Sequence, residues 1–181
     1  MAVGTPDSTE AAKLFCGMIA VDEAVLQEAE RLLAARFGPI ELRSPVIPFS
    51  FTDYYRAEMG EALLRRFVSF EGAMDPGRLA AVKTDTNRIE KKMAVHDAGI
   101  TRRRVNLDPG YVTAAKVVLA TTKNNAHRIY LGDGIYAEIT VGLCRKGPRC
   151  HEWTYPDYRT ETYGRFFMDV RRALLAAGHE D

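Results

Sequence analysis

Apolar residues fall at two different periods along the first part of this chain, and the order in which those periods alternate leaves few folds open. The run KLFCGMIAV (Lys13 to Val21) is almost continuously apolar over the length of one strand, as expected of a strand buried on both faces. Asp22 then offers an N-cap. Val25, Leu26, Ala29, Leu32, Leu33 and Phe37 fall on one side of a helix that Gly38-Pro39 stops. PIELRSPVIPF is extended, with Pro45 and Pro48 marking an edge position or an irregular exit. ALLRRFVSFEG alternates as a strand does. Asp75 and Pro76 open a second helix whose core stripe is Leu79, Val82, Ile89 and Met93, and RRRVNL reads as the next strand. Strand–helix–strand–strand–helix–strand predicts a ferredoxin-like α+β unit. A strand near 115–123, a hairpin over 126–143 and a helix over 161–177 are expected to extend it with antiparallel strands and a C-terminal helix. Residues 1–10, small and polar, read as a disordered lead-in, and residues 11–181 as one α+β domain without an internal linker.

The charge balance narrows the function classes. With 25 basic and 24 acidic residues the net charge is +1, which argues against a dedicated duplex-DNA binder. Three scattered cysteines give no disulfide framework. No apolar run reaches membrane-spanning length, and MAVGTPDSTEAAKLF lacks the basic and apolar regions of a secretory signal. A cytoplasmic protein with no membrane partner is expected.

The stretch NLDPGYVTAAKVVLATTKNNAHRIYLGDGIYAEIT, residues 106–140, mixes core-like runs with many charges. Gly132-Asp133-Gly134 predicts a three-residue hairpin loop that pairs Leu131 with Ile135, Tyr130 with Tyr136, Ile129 with Ala137 and Arg128 with Glu138. Period two then assigns Ile129, Leu131, Ile135, Ala137 and Ile139 to the core and Arg128, Tyr130, Tyr136, Glu138 and Thr140 to the opposite face. A solvated sheet face is one explanation of that polar set; the floor of a concave site is the other. Lys116 or Lys123 joins it from the preceding strand. Asp108-Pro109-Gly110 is strong turn chemistry, which would place a functional Asp108 at a strand end.

Further candidates lie elsewhere. Lys83, Asn87 and Glu90 form a polar stripe at i, i+4 and i+7 beside the core stripe of the second helix, and Asn87, a mediocre helix former, suggests a polar pocket there. DYYRAEMG supplies Tyr54, Tyr55 and Glu58. WTYPDY clusters Trp153, Tyr155, Asp157 and Tyr158 as a packed loop edge or a stacking wall. No phosphate loop, dinucleotide fingerprint or nucleophile elbow occurs, and Cys144, Cys150 and His151 lack zinc-knuckle spacing.

At KLFCGMIA, FTDYYRAEMG, KTDTNRIE, RRVNLDPGY, VVLATTKNNAHRIYLGDGIYAEIT and WTYPDY the chain resembles the bacterial domain-of-unknown-function family numbered 4416, in order and over nearly its whole length. Some members of that family carry an automatic label of GTP-binding protein. The resemblance brings no catalytic residues with it, and neither a phosphate loop nor an Asn-Lys-x-Asp guanine motif is present here.

The residues themselves point first to a small anionic or nucleotide-like ligand. Lys116, Lys123, Arg128 and His127 are expected to meet negative charge, and Tyr130, Tyr136, Tyr155 and Asn87 to shape or bind the rest. Asp108 and Glu138 are the candidates for orienting the ligand or holding Mg²⁺, and Asp108, His127 and Glu138 for proton transfer in phosphoryl or phosphodiester chemistry. The alternative is an RNA-binding or accessory module without catalysis, using Arg102 to Arg104 and the loop aromatics.

Overall fold

The computed structural model describes residues 10–97 and 99–177, so the expected lead-in lies, but for Glu10, outside the described residues. The elements, in chain order, are β1 (Lys13–Ala20), α1 (Glu23–Phe37), β2 (Ile40–Arg43), β3 (Ile47–Phe49), a short α2 (Arg56–Met59), β4 (Leu63–Phe70) and α3 (Leu79–Met93). Then come β5 (Val95–Asp97), β6 (Ile100–Arg102), β7 (Val105–Val112), β8 (Lys116–Thr121), β9 (Ile129–Gly132), β10 (Ile135–Cys144), β11 (Gly147–Cys150) and α4 (Glu161–Ala177). The strand–helix–strand–strand–helix–strand succession read from the sequence is present, with β3 and α2 inserted before β4 and β5 and β6 before β7. The result is a mixed α+β fold. One large antiparallel sheet runs β11-β10-β8-β7-β1-β4-β2, with β3 on β4 and β9 on β10, and β5–β6 form a separate hairpin.

Local signals set the helices. The Asp22 carboxylate accepts from the Val25 N–H at 2.8 Å, and Gly38, at φ 101°, ends α1 in a conformation that favours glycine. Asp75 caps a 3₁₀ turn over Pro76–Arg78, and α3 starts only at Leu79. Burial then divides the sheet into two covered faces. Leu14, Cys16, Met18 and Ala20 of β1 pack with residues of α1, including Val25, Leu26 and Leu33, and of α3, including Val82 and Met93. Phe15 points the other way, into Phe67, Tyr163, Phe166 and Phe167 under α4. Every β1 residue is buried because helices cover both faces. No helix among the described residues is long and apolar enough to cross a membrane.

Two local expectations fail for long-range reasons. Asp108, Pro109 and Gly110 form no turn; they run through the middle of β7, which pairs with β1 from Val105↔Ala20 to Val112↔Lys13. Gly110 answers to crowding: a Cβ there would lie 2.2 Å from the Val118 carbonyl oxygen and 2.6 Å from Phe15 Cζ. The hairpin loop is also shorter than expected. Gly132 pairs with Ile135 around Asp133 and Gly134 (φ 53° and 74°), and the register shifts before the expected Tyr130–Tyr136 and Ile129–Ala137 pairs. Its faces follow the expected alternation only in part. Ile135 is buried as expected, with Ala137 packed nearby, but Ile129, Leu131 and Ile139 are exposed, whereas Glu138 and Thr140 are buried. Glu138 turns inward, where Arg128, His127 and Thr140 meet its carboxylate.

The feature that shapes the middle of the molecule is an incomplete seam. β7 and β8 share only three register pairs, Gly110↔Leu119, Tyr111↔Val118 and Val112↔Val117. Beyond them the strands diverge, and residues 105–109 of β7 keep β1 on one side with, among the described residues, no strand on the other. Side chains from α3 fill in. Lys83 Nζ donates to the Leu107 carbonyl at 2.7 Å, and the Leu107 N–H donates to Glu90 Oε1 at 2.6 Å. Two helix side chains thus take the places of a missing strand's acceptor and donor.

Candidate functional site

The divergence of β7 and β8 opens a cleft of about 570 Å³, within the usual range for small-ligand sites. Asn106 and Asp108 of β7 form one margin, and Leu119, Ala120 and Thr121 of β8 with Glu138 of β10 form the other. Lys83, Asn87, Glu90 and Lys91 of α3 line it from the helix side. Tyr54 and Tyr55 come from the loop before α2, and Tyr155, Asp157 and Tyr158 from the loop before α4. The α3 stripe therefore faces a pocket, as its spacing suggested.

Arg65, on β4, is the most deeply placed charge. Its side chain is 1% exposed, its Nη1 donates to Asp108 Oδ2 at 3.2 Å, and its Nη2 donates to the Tyr158 hydroxyl at 3.0 Å. The guanidinium lies 4.5 Å from the Phe67 ring centre and stands over Gly17, where a Cβ would come within 2.7 Å of Nη2. Arg65 was not singled out by sequence, since it stands in a strand among alternating residues like any surface arginine. The signal that goes with it is Gly17, whose missing side chain leaves it room.

The opposite wall is built around Glu138. Arg128 Nε donates to Glu138 Oε2 at 2.7 Å, Thr140 Oγ1 donates to Oε1 at 3.2 Å, and His127 Nε2 lies 3.3 Å from Oε2. Arg128 also donates to the Lys123 carbonyl and to the Tyr155 hydroxyl. Burial, with Glu138 next, pushes the Tyr155 phenol above its ordinary range. Of the residues expected from sequence, Asp108, Glu138, Asn87, Lys123 and Tyr155 line the cleft, and Arg128 braces its wall. His127 lies behind Glu138, stacked on Trp153 with ring centres 5.3 Å apart. Lys116, opposite Gly142 at the far end of β8, and the cross-strand pair Tyr130–Tyr136 are not brought into the cleft. Arg103, Asn106 and Thr121 join it without having been expected there.

The carboxylates of the cleft are mostly committed. Asp108 is held by Arg65, and Glu138 by Arg128. Glu90 accepts from the Leu107 N–H and lies 3.6 Å from Arg103. Among the described residues no three histidine, cysteine or acidic side chains are grouped to hold a metal ion. Lys91 and Lys123, by contrast, make no ion pair among the described residues; Lys123 Nζ sits 3.8 Å from the Tyr54 ring centre across the mouth.

Burial raises the Glu90 carboxyl above the usual carboxylate range, opposed by Lys83 and by the Leu107 N–H. A group held higher in the folded than in the unfolded chain contributes stability that is full below its unfolded pKa and lost as pH rises through the folded value. Glu90→Gln keeps an acceptor for Leu107 and removes the titration. It is therefore expected to raise the thermal midpoint near neutral pH, with the gain shrinking toward about pH 4. A wild-type-to-variant difference that stays flat across that range would contradict this assignment.

Comparison with known proteins gives a family and nothing further. A family model described as a domain of unknown function (DUF4416) matches residues 10–174. No curated protein and no solved structure matches the chain.

Proposed function

The chain belongs to the DUF4416 family, and from the geometry of its cleft we propose that it binds a small anionic, nucleotide-like ligand between β7 and β8. The observation that carries this is the contrast in commitment within one pocket. The acidic groups Asp108 and Glu138 are neutralised by buried arginines, whereas Lys91 and Lys123 at the mouth have no carboxylate partner among the described residues. The lining is rich in tyrosine, with Tyr54, Tyr55 and Tyr155, the residue type on which a ring can lie. An anionic group at the lysines and a ring against the tyrosines describe a nucleotide better than a sugar phosphate. A bound Mg²⁺ would come with the ligand's own phosphate oxygens, since Asp108 and Glu138 each already serve an arginine.

The RNA alternative rests on Arg102 to Arg104, and that run is divided. Arg103 pairs with Glu58 at 2.7 Å inside the cleft rim and Arg104 lies 3.5 Å from Glu28. Arg102 alone of the three makes no ion pair among the described residues.

A thermal-shift panel of nucleotides, sugar phosphates and short RNA, each with and without Mg²⁺, tests the proposal. A nucleotide at 100 times its dissociation constant is expected to add about 2.7 kcal/mol of stability. The Lys91→Ala/Lys123→Ala double variant is expected to weaken that binding about tenfold and to flatten its salt dependence. A panel with no nucleotide response, or a response unchanged in the double variant, would overturn the assignment of the cleft.

A further inference from the structure

Asn106 presents a donor with nothing to give to. The residue lines the cleft and is 6% exposed, and its buried Nδ2 has no hydrogen-bond partner among the described residues. Buried amide N–H groups are ordinarily paired, so an unpaired one at a pocket wall asks for a ligand atom. Its orientation is fixed as well. Arg103 Nη1 donates to Asn106 Oδ1 at 3.0 Å, and a guanidinium has only donors, so the atom facing it must be the oxygen and the free atom the nitrogen. Arg103 is itself held by Glu58 at 2.7 Å, and its guanidinium lies 5.5 Å from the centre of the Tyr55 ring. The amide is therefore held in one orientation before any ligand arrives.

The charge around it says what kind of acceptor fits. Glu90 and Asp108, which line the same cleft, are carboxylates that would oppose a phosphate oxygen there. A neutral acceptor suffers no such repulsion, and the Tyr55 ring, with the Arg103 guanidinium over one face, lines the same cleft. The uncommitted cations, Lys91 and Lys123, are exposed at the mouth.

Resting on the nucleotide-like assignment above, we propose that Asn106 is the residue that recognises the base. Its Nδ2 donates to a ring nitrogen or carbonyl of a nucleoside monophosphate whose base lies inward against Tyr55 and whose phosphate lies outward at Lys91 and Lys123. Asn106 is thus a specificity-determining residue and not a catalytic one.

Calorimetric titration of the four common nucleoside monophosphates and of ribose 5-phosphate tests this. Asn106→Asp keeps the shape and the oxygen that Arg103 needs but replaces the donor with a second acceptor. Asn106→Ala removes the donor without adding charge, and serves if the added carboxylate beside Glu90 and Asp108 disturbs folding. Both are expected to weaken the best-bound monophosphate by about tenfold or more, Asp more than Ala, while leaving ribose 5-phosphate binding within about twofold of wild type. Equal weakening of ribose 5-phosphate would put Asn106 at the phosphate or sugar and overturn the assignment. So would tight monophosphate binding unchanged in both variants, with the cleft still established as the nucleotide site. If the wild-type protein binds no monophosphate, the nucleotide assignment falls and this one with it.

Discussion

Asp108→Ala is expected to cost about 3–5 kcal/mol of stability, measured as a fall in the denaturant midpoint at constant slope. The substitution removes a half-buried carboxylate, but the loss is felt at Arg65, whose side chain is 1% exposed and cannot turn to water. Phe49, Phe67 and Tyr163 lie within 5.8 Å of its guanidinium carbon, and its remaining hydrogen-bond partner is the neutral Tyr158 hydroxyl. Arg65→Met makes the converse change. It removes the buried charge with a side chain of comparable length and leaves Asp108, 27% exposed, free to be hydrated. Arg65→Met is therefore expected to cost less than Asp108→Ala. The reverse order would mean that the rings, and not the carboxylate, hold the cation.

The second large effect belongs to Gly110→Ala, with an expected cost of about 3 kcal/mol. The new methyl would stand 2.2 Å from the Val118 carbonyl oxygen and 2.6 Å from Phe15 Cζ. A phenylalanine ring can tilt, but the carbonyl is part of β8 within the three-pair seam, so relief requires the strands to part. The margin of the cleft would move with them, and ligand affinity should fall along with stability. Gly17→Ala is the comparison: its Cβ would meet side-chain atoms, Arg65 Nη2 at 2.7 Å and Phe67 Cε1 at 2.8 Å, and no backbone atom as near. Urea titrations of the two variants should place Gly17→Ala well above Gly110→Ala in stability. Equal losses would show that the seam has more slack than these distances imply.

What could be read along the chain was what neighbours in sequence decide. Asp22 and Gly38-Pro39 mark α1 through contacts within a turn or two, and Lys83, Asn87 and Glu90 share a helix side whatever lies opposite. Asp108-Pro109-Gly110 misled because the same residues serve a turn or a crowded strand, and Phe15 and Val118 settle which. The hairpin pairs Tyr130–Tyr136 and Ile129–Ala137 followed from placing the loop at Gly132-Asp133-Gly134, but the inward turn of Glu138 goes with Arg128, which closes over it. Arg65 stayed out of view for a related reason. Nothing near it in sequence distinguishes a buried arginine from a solvated one; Asp108, 43 residues away, does.

The open margin of β7 has one more consequence. A strand with unpaired amides and carbonyls is ordinarily a template on which a neighbouring chain can add a strand, the first step toward aggregates. Here that margin faces the interior, and at Leu107 both of its backbone groups are already taken by Lys83 and Glu90. The molecule gains a cavity in the middle of its sheet without offering a foothold there for intruding strands, and α3, which closes the gap on one side, also covers the unpaired strand.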